Sequence, residues 1–492
     1  MADKSKAAVN RNRKTAPGVI TVFLTCMLML FLSFALACAE GALHYAIRTE
    51  AECIADMGVD SIFAEYNREL LDRYDLFFID TTYGREKVSY HYTEEHLKDY
   101  IEANLYPEKD IFLWNSRDFL GMELEEAAIL QAALATDNHG QDVKHQAVTY
   151  MRDMIGLEFL EEVQAHYQTI TDNEMDVRDV EAEAEEVQRQ IDGMPLPEQQ
   201  LEDGSFVKAE IDNPADNVNA TKFKGILYLV TDRNAEISGR AINTDNYVSH
   251  RDCNAGTGPA SEGYTDYGWE ELLFGEYLLQ KCSYYGAEKE EGELLYELEY
   301  ILAGKGSDTE NLRRVASRLI LLREVANVAY LYTDKKKLEE VDLMAWGLAI
   351  VALKPDIQPL IKQSIIFAWA YAESVQDVRI LLSGGKVPLL KTADTWHLSL
   401  DHMLDYQNHL EQTKDGDGLD YAMYLRMLLL MEKPHTKTER FMDIVEMNLR
   451  KTDGNRYFRM DGCMDGITAS VRISGAGNNV CHVIKEYSYL NR

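Results

Sequence analysis

Residues 18–39 read Gly18-Val-Ile-Thr-Val-Phe-Leu-Thr-Cys-Met-Leu-Met-Leu-Phe-Leu-Ser-Phe-Ala-Leu-Ala-Cys-Ala39, a run of 22 without a charge. A hydrocarbon core of about 30 Å takes about 20 such residues to cross. Lipid offers nothing to satisfy open N–H and C=O groups, so a chain that crosses it here must be helical. Lys4, Lys6, Arg11, Arg13 and Lys14 precede the run and Glu40 follows it. By the positive-inside rule the basic tail, 1–17, stays in the cytoplasm and everything after residue 39 lies outside the cell membrane. The expected contact of residues 18–39 is therefore membrane lipid, in a single-pass arrangement.

A cleaved secretory signal is the rival reading. Signals have apolar cores of about 7–15 residues and end in small residues. Ala35-Leu36-Ala37 would serve as such an end, and Ala35-Leu36-Ala37-Cys38 makes a poor lipobox. The run is long for a signal and a helical pattern continues beyond it, so retention is expected. On either reading the bulk of the chain is outside.

Charge supports this layout. Of the formal net charge of −33, residues 1–17 contribute +4, which leaves −37 for the rest. So acidic a body repels phosphate backbones, which argues against nucleic-acid binding. Its plain account is a solvated outer surface. The seven cysteines include Cys26 and Cys38 in the apolar run, and no CxxC or zinc-type spacing occurs. Cys253 with Cys282 and Cys463 with Cys481 are conceivable pairs that leave Cys53 over, but connectivity does not follow from sequence.

Past Glu40 no proline interrupts the chain until Pro107. Leu43, Ile47, Ala51, Ile54, Gly58 and Ile62 fall within one arc of about 100° on a helix. The membrane helix is thus expected to run on as an amphipathic one, about 78 Å from Val19 to Leu70 if unbroken. A helix apolar in its first half and amphipathic in its second has the shape of a pilin. It is also the shape of an ordinary anchor followed by an ordinary first helix, which spacing alone favours.

The fold expected is α+β and mainly helical, with small β elements. Residues 93–185 read as helical, Glu123–Ala135 included, with a turn at Asn138-His139-Gly140. Val180–Gln190 reads as a solvated helix. Gly225–Thr231 is rich in strand formers, and Ser307-Asp-Thr-Glu310 reads as a capping box for a helix over Leu312–Tyr332. Pro355 and Pro359 separate two apolar helices, Leu343–Leu353 and Ile365–Ala372, both too short to span and so expected in the core. The tail from Arg456 to Leu490 reads as short strands. The organisation expected is a tail at 1–17, a transmembrane helix at 18–39, a helical membrane-proximal region at 40–193, a linker at 194–222 and an α+β extracellular domain at 223–492.

No motif compels chemistry. Leu382-Ser383-Gly384-Gly385-Lys386 and Gly304-Lys305-Gly306-Ser307 lack the spacing of a phosphate loop, and the first reads as a helix-ending turn before Val387-Pro388. Asp415, Asp417 and Asp420 have the wrong register for a calcium loop and read as a turn capping Tyr421–Met431. His397, Asp401 and Asp405, with His402 and His409 nearby, would align on a helix face without the order of a zinc motif. Glu373, with Asp377 and Arg379, is the most pointed feature, because it closes an apolar run. It suits an acid–base pair, and equally a buried carboxylate bonded to Arg318 or Arg323. No catalytic, cofactor or metal residue is assigned on these grounds, and the chain is not expected to be an enzyme.

A resemblance covers most of the chain. It is carried by Gly18-Val-Ile-Thr-Val-Phe-Leu with Glu40, Glu65-Tyr66-Asn67-Arg68, Leu71-Asp-Arg-Tyr-Asp-Leu-Phe77, Ile226-Leu-Tyr-Leu-Val230 and Leu295–Leu302 with Gly304-Lys305. Leu322-Arg323-Glu324, Ala368-Trp-Ala-Tyr-Ala-Glu-Ser374 with Asp377, and Gly385-Lys-Val-Pro-Leu-Leu-Lys391 complete it. As a series these resemble an uncharacterised family of single-pass, pseudopilin-like surface proteins of Gram-positive bacteria, associated with tight-adherence (Flp-type) pili. The resemblance implies a pilin-like or accessory structural component with no known reaction, partnered by other pilus or surface-assembly proteins. It makes Glu373 and Lys386 parts of structural motifs. One departure stands out: prepilins cut after a glycine carry Glu five residues on, and counting from Val19 that position is Phe23. The alternatives are an extracellular hydrolase built on acidic residues around Glu373 or Asp415, and a surface adhesin.

Overall fold

The computed structural model describes residues 17–105, 120–173, 175, 178–196, 198–200, 206–208, 213–232, 235–258, 267–289, 291–410 and 416–491. The protein is mainly helical, with a small antiparallel sheet and a long apolar N-terminal helix, as the sequence predicts. It divides into two compact units. The first takes residues 1–65, 90–131 and 467–487, and the second takes 66–89, 132–466 and 488–492.

The first unit is organised by the helix Pro17–Phe63, whose 47 residues make about 70 Å. It stops short of the expected Leu70, because Asn67 opens a separate helix, Arg68–Tyr74, by accepting the Leu70 N–H. From Ile20 to Ala42 the described side chains are exposed. From Ile47 onward one stripe is buried: Ile47, Ala51, Ile54, Ala55, Val59 and Ile62. The stripe packs against the helix Tyr90–Leu105, with Gly58 letting the two backbones close on Leu97 and Ile101. The same half of the helix meets the C-terminal strands. His44 bonds Asn479, Lys485 reaches Asp56, and the Phe63 and Tyr487 rings lie 4.1 Å apart. Ile47 fills the space left by Gly475.

The strand Cys463–Gly475 lies between Glu123–Leu134 and Asn479–Ser488. Glu123–Leu134 corrects the helix expected there. Ala, Leu and Glu favour helix by a few tenths of a kcal/mol each, and cross-strand partners override so small a preference. Arg472, for example, pairs with Glu125 at 2.8 Å. The expected C-terminal strands are present, as two long ones.

The second unit is built around the helix Gln358–Leu382, buried on every face from Ser364 to Leu382. A helix apolar all round belongs in a core. Against it lie the helices Asp308–Thr333, Lys335–Val351, Val180–Asp192, Pro214–Thr221 and Ile226–Val230. Ser307 caps the first of these through the Glu310 N–H, as its motif predicts. Three expectations change. Ile226–Val230 is one short helix rather than a strand, held between two longer helices. Val180–Asp192 is amphipathic rather than solvated, and turns Val180, Val187 and Ile191 inward. The Leu343–Leu353 stretch is core on one face only: the helix Lys335–Val351 buries Val341, Ala345 and Ala349, half-buries Leu338, Met344 and Leu348, and leaves Leu343, Trp346, Ile350 and Val351 exposed.

All seven cysteines are free thiols, so neither pairing considered above forms. Cys282 and Cys463 are buried, and burial pushes both thiols well above their usual range.

Candidate functional site

Glu373 and Asp377 sit one turn apart on the Gln358–Leu382 helix, which puts both carboxylates on one face. Neither is reached by solvent. The chain leaves this helix through Gly384, at φ +83°, and Gly385 donates back to the Ile380 carbonyl at 2.9 Å. Val387 then pairs with Leu419. This path brings Lys391 back under the helix. Its ammonium stands 2.6 Å from Glu373 Oε1, 2.6 Å from Asp377 Oδ1 and 2.8 Å from the Thr395 carbonyl.

A second cation comes from the Asp308–Thr333 helix. Arg323 donates from Nε to Asp377 Oδ2 at 3.0 Å and from Nη1 to the Leu389 carbonyl at 2.6 Å. Asn327 donates to Ser374 and Asp377. Glu373 further accepts the backbone N–H groups of His397 and Leu398, at 2.9 and 2.8 Å. Both Trp369 and Trp396 donate their ring N–H to the Leu398 carbonyl, which fixes that wall. Two carboxylates thus face two cations, and the cluster is neutral.

Burial by itself raises a carboxyl pKa. Here burial is the largest single influence on Glu373, yet Lys391 and the His397 and Leu398 donors together outweigh it. The carboxyl is held down at about 2. The Glu373 carboxyl is therefore ionised at neutral pH.

Glu373, Asp377 and His397 bring ligand atoms within 4.8 Å of one another, close enough to share a metal ion. Lys391 already holds the place between the two carboxylates, so its ammonium supplies the positive charge that a metal would. With Lys391 in that place the residues do not fit a metal.

The other sequence candidates fall elsewhere. Arg379 donates to the Leu229 and Thr231 carbonyls and does not join Glu373. Arg318 pairs with Glu432. Residues 397–410 form a loop with short 3-10 turns, so His397, Asp401 and Asp405 share no helix face. His402 stacks on His409, which pairs with Asp405. Asp420 caps the helix Tyr421–Met431 through the Met423 N–H, while Asp415 lies outside the described residues. Gly304 ends one helix in the left-handed conformation, three residues before Ser307 caps the next.

Sequence reasoning reached Glu373, Asp377 and Arg323 but not Lys391. Its only signal is its place at the end of Gly385-Lys-Val-Pro-Leu-Leu-Lys391, a segment the resemblance includes.

No curated protein and no solved structure matches the chain. Residues 205–475 match the model of a family of unknown function, DUF5702. That stretch is more than half of the chain and contains Arg323, Glu373, Asp377 and Lys391, and the chain belongs to the DUF5702 family.

Proposed function

We propose that this chain is a membrane-anchored structural or interaction protein, a pilin-like or accessory component of a tight-adherence-type pilus system. Residues 1–17 lie in the cytoplasm and the body lies outside the cell. The observation that carries the reading is the division of the Pro17–Phe63 helix. Its first half is apolar and exposed, and the helix is long and apolar enough to cross a membrane. Its second half is the spine of a small unit, with one helix and a set of strands laid along it. A helix so divided leaves its first half free for lipid or for the first halves of neighbouring subunits, while its second half carries a head.

The buried cluster supports the same reading over a hydrolase. An acid–base pair has to reach substrate. Glu373 and Asp377 are closed off and matched by Lys391 and Arg323, an arrangement that fixes three segments of chain to one another.

Shearing filaments from intact cells and reading the mature N-terminus of this chain in both fractions by mass spectrometry tests the proposal. A chain found in the sheared fraction and beginning at Val19 is a processed subunit despite Phe23. A chain that stays with the membrane and copurifies with pilus-assembly proteins is an accessory component. A membrane-bound chain with no pilus protein beside it overturns the pilus assignment and leaves an anchored adhesin.

A further inference from the structure

The side chains of Lys391, Glu373 and Asp377 are sealed inside the second unit. Nothing outside the chain reaches them, so the only groups they can act on are one another. Their contacts differ in kind. The Lys391 ammonium donates a hydrogen bond to Glu373 Oε1 at 2.6 Å. It stands equally close to Asp377 Oδ1, yet among the described residues no hydrogen bond reaches that oxygen. The other Asp377 oxygen, Oδ2, accepts from Arg323 Nε at 3.0 Å and from Asn327 Nδ2 at 3.2 Å. A nitrogen is thus held against a carboxyl group whose second oxygen is gripped by two donors, with a carboxylate beside the nitrogen to take its proton.

We propose that Lys391 and Asp377 condense to an amide, a covalent cross-link within the chain, with Glu373 carrying the proton. The ion pair is the reactant state. Glu373 takes one proton from the ammonium and leaves an amine with a lone pair. Nζ attacks Asp377 Cγ, and the Nζ–Cγ bond forms. Negative charge gathers on Oδ2, where Arg323 and Asn327 already donate, as in an oxyanion hole. The Cγ–Oδ1 bond then breaks. Oδ1 takes the proton from Glu373 and a second from the nitrogen, and leaves as water. The third proton stays as the amide N–H. One ammonium and one carboxylate become one amide and one water, and no co-reactant is consumed.

Two features favour a condensation that free amines and carboxylates do not undergo in water. Holding the partners in contact is worth an effective molarity of about 10⁵–10⁸ M. The interior also excludes the water that would reverse the reaction, and it penalises the two charges that the reaction removes. The Trp396 ring, 5.9 Å from Nζ, closes one side. Arg323 and Glu373 remain as one cation and one carboxylate, so the core stays neutral. In a chain whose cysteines are all free, the bond ties the Gln358–Leu382 helix to the segment that returns beneath it. It stands independently of the pilus reading.

The test digests the purified full chain with trypsin and identifies the peptides by mass spectrometry. Trypsin cuts after a free lysine, and an amide on Nζ prevents the cut at Lys391. The expected product joins residues 363–379 to 387–414 and is lighter than the two together by one water, with the branch placed at Asp377 by fragmentation. Lys391→Met abolishes the joined peptide, and Glu373→Gln lowers the joined fraction at least tenfold. Peptide 387–391 released with a free Lys391 from the natural chain overturns the proposal, whether or not the variants fold. A branch at Glu373 overturns it too. So does a Glu373→Gln chain that keeps its helicity by circular dichroism and joins as fully as the natural one.

Discussion

The Lys391 ammonium lies 2.6 Å from Glu373 Oε1, and neither side chain is reached by solvent. The two are brought together by a glycine turn and an extended segment that fold the chain back under its own helix. Removing one partner of such a pair strands a charge in the core, at about 3–5 kcal/mol. Lys391→Met is expected to destabilise the second unit by that amount in thermal or urea unfolding. The double variant Lys391→Met with Glu373→Gln should lose less than the two singles summed. Additive losses would mean that the two side chains do not act as a pair.

The acid side of the stability curve carries a second expectation. Glu373 is held at about 2, below the usual 4.5. A depressed carboxyl contributes stability that is present above its unfolded value and lost as pH falls through its folded one. Unfolding temperature should therefore drop between pH 4.5 and 2, and Glu373→Gln should flatten that part of the profile. A variant with the same slope as the natural chain would assign the loss to other groups.

Asp465 behaves in the opposite sense. Burial, with the charges of Asp142 and Asp137 beside it, pushes its carboxyl up to about 8. A raised carboxyl favours the fold fully below its unfolded value of 3.8, and that contribution is lost as pH rises through 8. Asp465→Asn should raise stability at pH 9 by at least about 1 kcal/mol, the worth of one pKa unit being 1.36 kcal/mol, and change little at pH 4. An equal effect at both pH values would contradict this.

The reach of the sequence is clearest where local chemistry decides the structure. The apolar run, the Ser307 cap, the turn after Leu382 and the Asp420 cap follow from propensity and hydrogen bonding within a few residues. At Glu123–Leu134 and Ile226–Val230 distant partners outweigh local preference, and sequence pattern misleads. The candidate site divides the same way. Glu373 and Asp377 announce themselves by being charged within an apolar helix, and the charge needs a cation. Which cation depends on the path from Leu382 to Lys391, and no periodicity records that path. The outward face of Lys335–Val351 escapes the sequence for a related reason: an apolar run reads as core whichever way its large side chains turn.

Gly58 offers a check on the first unit. A Cβ there would stand 2.8 Å from Ile101 Cγ1. Gly58→Val should cost about 1–3 kcal/mol through overpacking, seen as a lower unfolding temperature. Gly347→Val, where a Cβ meets nothing, should leave the folded monomer far less disturbed. Equal losses at the two sites would contradict the close helix contact at Gly58.

The central claim is that the first half of the Pro17–Phe63 helix lies in the membrane and the body lies outside. Three native cysteines report on it directly: Cys26 and Cys38 in the apolar half, and Cys53, exposed, beyond it. Intact cells are treated with a membrane-impermeant maleimide and labelled peptides are identified by mass spectrometry. Cys53 is expected to label before lysis, and Cys26 and Cys38 to stay unlabelled until the membrane is dissolved. Labelling of Cys53 only after lysis, or of Cys26 as readily as Cys53, would contradict it.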